Sequence, residues 1–95
     1  MFYIYILYSP EADRYYVGHT EDIERRLIEH QAISENSFTS KHRPWQLVTA
    51  LDAGHDRGEA MQIERFIKRQ KSRRFIEYLF DRHSVDFIRQ KIFGS

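Results

Sequence analysis

The feature that most restricts the fold is an unbroken aromatic and β-branched run near the start of the chain, from Tyr3 to Tyr8. No turn-forming residue interrupts it, a pattern that is typical of a well-buried strand. Ser9 to Asp13 includes a proline and supplies turn chemistry, and Tyr15 to Gly18 then resumes extended character. The beginning of the chain is therefore predicted to be a β-hairpin.

Length and composition limit what can be built around this hairpin. The chain has 95 residues, of which 41% are hydrophobic, enough for one layered core but too few for a second domain. It has no cysteine, which excludes disulfides, thiolate zinc sites and cysteine nucleophiles, and indicates a reducing compartment. Neither a signal-peptide pattern nor a run of roughly 20 apolar residues is found. We therefore expect a cytoplasmic protein without membrane contact.

After the hairpin, the sequence predicts one helix, a loop and a third strand. Thr20 is expected to cap a first helix that ends near Gln31. The polar segment 34–44 is expected to be an exposed loop. Residues 45–51 are rich in apolar and β-branched side chains and predict a strand, which the turn residues 52–54 are expected to end.

The remainder is predicted to be helical. Apolar residues recur at helical spacing in 56–70, and Ser72 is a start signal for a third helix that extends through Phe80. Residues 86–93 keep helical spacing, which is compatible with a short terminal helix or with a tail packed on the sheet. The order ββαβαα predicts an α+β fold, in which a small three-stranded, mostly antiparallel sheet is flanked by helices.

Three polar side chains fall on helix faces that should be apolar. On a helical wheel, Arg26 and His30 lean toward the inward stripe of the first helix, and Glu64 lies within the stripe of the second. An inward charge needs a partner, water or a ligand. Each residue alone has an ordinary explanation: a snorkelling arginine, a satisfied core histidine or a paired glutamate. Their coincidence with a tyrosine-rich hairpin favours a functional site.

The same residues carry a resemblance to a known family. Tyr3-Ile4-Tyr5, then Tyr16-Val17-Gly18, then Arg26 with His30 four residues later, and finally the helical segment 59–64 occur in this order. The set resembles the GIY-YIG nuclease superfamily, specifically its small single-domain bacterial branch, which is related to the N-terminal nuclease domain found in the bacterial excinuclease ABC. The resemblance covers about residues 2–79. Tyr3 stands where the family name has glycine, and His19 where several relatives have lysine.

The resemblance implies a fold, a reaction and a set of site residues. It implies one domain over residues 1–95, with a core at about 2–80 and a C-terminal helical extension at 84–95. It implies hydrolysis of DNA phosphodiester bonds with one divalent metal ion, Mg²⁺ or Mn²⁺, held by Glu64, possible roles being DNA repair or recombination. The implied catalytic residues are Tyr5, Tyr16, Arg26, His30 and His19. We favour Tyr5 as the general base and Tyr16 as the supporting hydroxyl, although the sequence does not order them.

Basic residues suggest where DNA is bound. They fall in two groups, one in the polar loop beside Trp45 and one near the junction of the second and third helices: Lys41, His42 and Arg43, and Lys68, Arg69, Lys71, Arg73 and Arg74. An ordinary solvated face is the alternative for the second group, because helix C-termini favour cations. DNA recognition by structure or with weak sequence preference is expected, by a monomer or weak dimer.

Two other interpretations stay open at this point. The chain could be a nucleic-acid-binding or protein-binding module that has this architecture without turnover. Alternatively, Arg26 and Glu64 could form a purely structural ion pair beneath an aromatic core, with no substrate at all.

Overall fold

The computed structural model describes residues 1–31 and 44–94. Three predicted DNA-binding residues, Lys41, His42 and Arg43, lie outside these ranges, as does most of the predicted loop. The described chain contains three strands, β1 (Phe2–Ser9), β2 (Arg14–Thr20) and β3 (Gln46–Gly54). They form one sheet in the order β2-β1-β3, and both pairings are antiparallel.

Four α-helices are found in the described ranges: α1 (Ile23–Gln31), α2 (Arg57–Arg69), α3 (Arg73–Tyr78) and α4 (Asp86–Phe93). A 3₁₀ turn, Leu79–Asp81, follows α3. The predicted α+β class and the three-stranded sheet flanked by helices are therefore confirmed. The terminal segment is a helix, since α4 buries Ile88 completely in the core. None of the described helices has the length and apolar character needed to cross a bilayer.

Side-chain alternation divides the core into two parts, one on each face of the sheet. Ile4 and Ile6 of β1 face α2, where they pack in one cluster with Ile63 and Ile67. The intervening residues of β1 face the other way, toward α1 and Trp45, and form a smaller cluster that contains Tyr5, Leu7, Trp45, Ile23 and Leu27. The sheet is thus a central layer with helices on both faces.

Two predicted boundaries are wrong for identifiable reasons. Thr20 ends β2 instead of capping α1, and its hydroxyl oxygen accepts a hydrogen bond from the backbone N–H of Asp22 at 3.1 Å. Asp22 caps the helix, because its carboxylate accepts from the backbone N–H of Arg25 at 3.0 Å. The third strand does not stop at Leu51, since Asp52 pairs with Tyr3 and the ladder continues to Gly54.

The register of the hairpin determines the sheet face from which the two tyrosines of the motif project. Tyr5 lies opposite Gly18, and Leu7 lies opposite Tyr16. Tyr5 and Tyr16 therefore project from the same face of the sheet, the face that is covered by α1. His19 projects from the opposite face, together with Ile4, its partner across the pair.

Candidate nuclease active site

The centre of the candidate site is a hydrogen bond between β1 and α1. The hydroxyl oxygen of Tyr5 lies 2.7 Å from Nε2 of His30, and both side chains are buried. Burial, and then the nearby charge of Arg26, lower the pKa of His30, so its ring is neutral at physiological pH. Burial raises the pKa of Tyr5 well above its ordinary value, which keeps its hydroxyl protonated. The pair can therefore be Tyr5 donating to an unprotonated Nε2.

Gly18 is required for this arrangement by a close approach. A Cβ atom added at Gly18 would lie 2.5 Å from the Tyr5 hydroxyl oxygen and 2.6 Å from the ring carbon that carries it. Tyr5 thus crosses β2 directly over the glycine of the Tyr16-Val17-Gly18 motif. The space left by the missing side chain is what lets the hydroxyl reach His30.

Arg26 lies one helical turn before His30 on α1. Its guanidinium is close enough to Tyr5 to oppose the rise in the pKa of the hydroxyl, and its Nη1 is 3.1 Å from Oε1 of Glu29. The side chain is 44% exposed, while its Nε is buried and has no hydrogen-bond partner among the described residues. Arg26 does not pair with Glu64, so the interpretation as a structural Arg26–Glu64 ion pair is wrong.

Tyr16 joins the buried pair to α2. Its ring makes an edge-on contact with His30, at 4.6 Å between ring centroids, and lies 6.2 Å from the ring of Tyr5. On its other side, Nζ of Lys68 is 5.5 Å from the ring centroid. Tyr16 is partly exposed, whereas Tyr5 is buried.

Glu64 of α2 completes the group. Its Oε1 lies 2.6 Å from Nδ1 of His19, and its Oε2 lies 2.8 Å from Nζ of Lys68. The carboxylate is also near enough to Tyr5 to contribute to the raised pKa of that hydroxyl. Since β2 is an edge strand, groups from both faces of the sheet meet around its outer edge.

Glu64 supplies one carboxylate to this end of the candidate site. Its side chain is 19% exposed, and both of its oxygens face positively charged or proton-donating groups. The described residues contain no cluster of three or more histidine, cysteine, aspartate or glutamate side chains able to hold a metal. Mg²⁺ and Mn²⁺ prefer oxygen ligands, and Mg²⁺ usually keeps several waters, so one carboxylate suits an ion that is bound together with a phosphate.

The predicted DNA-binding residues fall into different surroundings. Lys68 contacts the candidate site through its bond to Glu64. The sequence analysis did not predict this pair, although glutamate and lysine four residues apart in a helix commonly interact. A cavity of about 220 Å³ extends from Tyr16 and Lys68 to Lys71 and Ser72. Arg73 also has a structural partner, because its guanidinium contacts the carboxylate of Asp13 at 2.6 Å and ties α3 to the hairpin turn. Two further cations are exposed, Arg69 and Arg74.

Comparison with known proteins agrees with this geometry. The model of the GIY-YIG catalytic domain matches residues 1–77. The chain is 30% identical over 92 residues to a UPF0213 protein of Limosilactobacillus reuteri, covering 93% of this chain and 91% of the relative. It is 32% identical over 77 residues to a UPF0213 protein of Streptococcus pneumoniae, covering 81% and 76%. No solved structure matches significantly. The chain therefore belongs to the GIY-YIG family of nuclease-type catalytic domains, as the resemblance implied.

Proposed function

We propose that this protein is a divalent-metal-dependent endonuclease that hydrolyses DNA phosphodiester bonds at the edge of β2. The observation that carries the proposal is the buried hydrogen bond between the hydroxyl of Tyr5 and Nε2 of His30, beside the permanent charge of Arg26. Burying two polar groups costs free energy that apolar side chains would not, and a role in the reaction accounts for that cost. Hydrolysis of a phosphate ester needs a proton acceptor and a nearby cation, and both are present.

The Tyr5–His30 pair provides a path for the proton of the attacking water. As the water oxygen bonds to phosphorus, its proton passes to the hydroxyl oxygen of Tyr5, while the original hydroxyl proton passes to Nε2 of His30. The bond from phosphorus to the leaving oxygen breaks, that oxygen takes a proton from solvent, and His30 then releases its proton to solvent, which restores the starting pair. No free tyrosinate forms before attack, so the raised pKa of Tyr5 does not prevent it from acting.

Arg26 and Tyr16 position the ester. The guanidinium offers a planar fork that suits two phosphate oxygens, and its unpaired Nε is a donor that such an anion would satisfy. The hydroxyl of Tyr16 lies on the same sheet face as that of Tyr5 and aligns the water or the phosphate. Charge that accumulates on the phosphate oxygens in the transition state is thereby stabilised.

Glu64 would hold the metal ion, with His19 orienting the carboxylate through Oε1. When bound, Mg²⁺ or Mn²⁺ supplies charge neutralisation to the phosphate and to the leaving oxygen. Lys68 occupies the second carboxylate oxygen and is a flexible cation that can turn toward a DNA phosphate.

The proposal also covers the substrate, the residues that contact DNA and the extent of the domain. We expect cytoplasmic DNA as the substrate, recognised by its structure or with weak sequence preference, in repair or recombination. The exposed cations Arg69, Lys71 and Arg74 are proposed to contact backbone phosphates. The proposed unit is one domain, residues 1–95, with α4 as its C-terminal extension.

The direct test is cleavage of defined DNA. Nicked, branched and single-stranded substrates are incubated with the purified protein in Mg²⁺, in Mn²⁺ or in chelator. Cleavage is expected only with metal, and a Glu64→Ala variant purified in parallel is expected to be inactive, which excludes a contaminating nuclease. Equal cleavage by both proteins, or no cleavage of any substrate, would contradict the proposal.

Two observations favour a second function, a nucleic-acid-binding module without turnover. Tyr5 is only 2% exposed, and both oxygens of Glu64 already have partners, as in a site that holds DNA without cutting it. Under that function the protein binds the same substrates with equal affinity in metal and in chelator and leaves them intact. The cleavage experiment therefore separates the two functions.

A further inference from the structure

A groove between α3 and α4 has aromatic walls and lies outside the candidate active site. Its volume is about 490 Å³, and Ser72, Arg74, Phe75, Tyr78, Phe87 and Lys91 line it. Phe75 and Tyr78 are stacked with 29° between their planes, and Tyr78 meets Phe87 edge-on at 5.9 Å. Tyr78 is 51% exposed. The groove therefore presents the exposed ring of Tyr78 to solvent, with the partly buried rings of Phe75 and Phe87 beside it.

Positive charge surrounds these rings. Arg74 and Lys91 are exposed, and neither forms an ion pair with any described residue. The guanidinium of Arg82 lies 4.3 Å from the ring centroid of Tyr78 and 5.7 Å from that of Phe87. No carboxylate lines the groove in the described part of the chain. An aromatic surface bordered by unpaired cations suits a ligand that is both flat and anionic.

The groove and the cavity beside the candidate active site have one lining residue in common. Ser72 lines the groove and also lines the cavity that reaches Tyr16 and Lys68. Lys68 and Lys71 line that cavity, and Arg74 lines the groove, so both have cations in their walls. A strand of nucleic acid that entered the active site could contact these cations with its phosphates.

We propose that the groove between α3 and α4 binds an unpaired base of single-stranded DNA, with Tyr78 as the stacking surface and Arg74 and Lys91 as phosphate contacts. The choice of DNA rests on the proposed function, whereas the binding itself requires no cleavage. An apolar peptide could pack against the rings, but it would leave the charges of Arg74 and Lys91 without partners. A base attached to its phosphate satisfies both.

Binding is measured by fluorescence anisotropy with a labelled oligothymidine of about 15 nucleotides and with an abasic strand that has the same number of phosphates, both in chelator so that nothing is cut. Tyr78→Ala is expected to weaken oligothymidine binding about tenfold or more and to leave abasic-strand binding nearly unchanged. Tyr78→Trp keeps a stacking surface and is expected to keep the affinity.

Phe93→Ala is the matched control, since Phe93 is an exposed aromatic residue of α4 outside the groove. It is expected to bind as the unmodified protein does. Arg74→Ala, at an exposed position, is expected to weaken both strands and to reduce the salt dependence of binding by about one counterion. If Tyr78→Ala unfolds at a much lower temperature than the unmodified protein, Arg74→Ala still tests the proposal.

Four results would overturn the proposed base-binding groove. They are no binding of oligothymidine by the unmodified protein, unchanged oligothymidine affinity in Tyr78→Ala, the same loss of affinity in Phe93→Ala, or an equal loss of abasic-strand affinity in Tyr78→Ala. None of them depends on cleavage. If the protein cuts DNA but Tyr78→Ala binds oligothymidine normally, only the proposed groove is refuted. If Tyr78→Ala loses oligothymidine affinity but the unmodified protein does not cut DNA, only the proposed activity is refuted.

Discussion

Replacing Glu64 with glutamine separates a metal-holding carboxylate from a structural one. The substitution preserves shape and removes the negative charge. In the folded protein, Glu64 makes an ion pair with Lys68, whose side chain is 48% exposed, and a hydrogen bond with His19. An exposed pair at this helical spacing is worth about 0.3 to 0.5 kcal/mol, and a partly buried hydrogen bond about 1 kcal/mol.

Because the amide oxygen of glutamine can still accept from His19, the expected loss of stability is at most about 1 to 2 kcal/mol, which lowers the melting temperature by no more than roughly 4 to 16 °C in a domain of this size. The expected loss of cleavage is much larger, about 100-fold or more, because the glutamine cannot hold the cation that neutralises the phosphate. Thermal melts followed by circular dichroism and initial rates of metal-dependent cleavage measure the two effects on the same preparation.

Glu59→Gln is the control, since Glu59 also lies on α2 and pairs across the core with Arg89 of α4, away from the tyrosines. It is expected to lower stability while leaving cleavage close to that of the unmodified protein. The reasoning is refuted if Glu64→Gln cuts DNA normally. It is equally refuted by a stability loss of about 3 to 5 kcal/mol, which is typical of a broken buried pair.

Three other changes test the remaining parts of the site. Gly18→Ala is expected to push Tyr5 off His30 and to cost about 1 to 3 kcal/mol in thermal melts, whereas an undiminished melting temperature would show that the close approach is unimportant. Arg26→Lys is expected to reduce cleavage about 100-fold with little change in stability, because it keeps the charge and loses the fork; the same loss in Arg25→Lys, on the exposed side of α1, would contradict this. The pKa of His30 in the folded protein is below its ordinary value of 6.5. As pH falls below about 6.5, His30 therefore becomes protonated in the unfolded chain before it does so in the folded protein. Stability should therefore decline from about pH 6.5 down to the folded pKa, and melts of His30→Gln should show a smaller decline; identical pH profiles would refute the assignment of a neutral His30.

The hairpin and the inward polar residues could be predicted because they follow from local rules. Alternation along β1 and β2 determines which tyrosines share a face, and helical spacing places Arg26 and His30 on the same side of α1. The inward direction of Glu64 was likewise visible in the apolar stripe of α2. These features need no knowledge of distant parts of the chain.

What the sequence did not reveal depends on contacts between distant residues. Asp52 looks like a turn residue, but its backbone N–H donates to the carbonyl of His83 at 3.0 Å and its carbonyl accepts from Val85 at 3.1 Å. These bonds, with the pairing to β1, extend β3 beyond its apolar residues. Arg73 looks like a DNA contact, yet its partner Asp13 is sixty residues away in the chain. The cap of α1 was misplaced because Thr20 and Asp22 are both good caps, and strand pairing occupies Thr20.

The pairing of Tyr5 with Gly18 has a consequence for the chain while it folds. A slip of one residue between β1 and β2 would turn Tyr15 toward α1 and Tyr16 away from it, and would put a side chain in the space that Tyr5 needs. Misregistered or half-formed hairpins would thus have no complete site. Under the proposed function, hydrolytic capacity would then arise only in the correctly aligned state, so a newly made chain would not cut nucleic acid until its hairpin had formed.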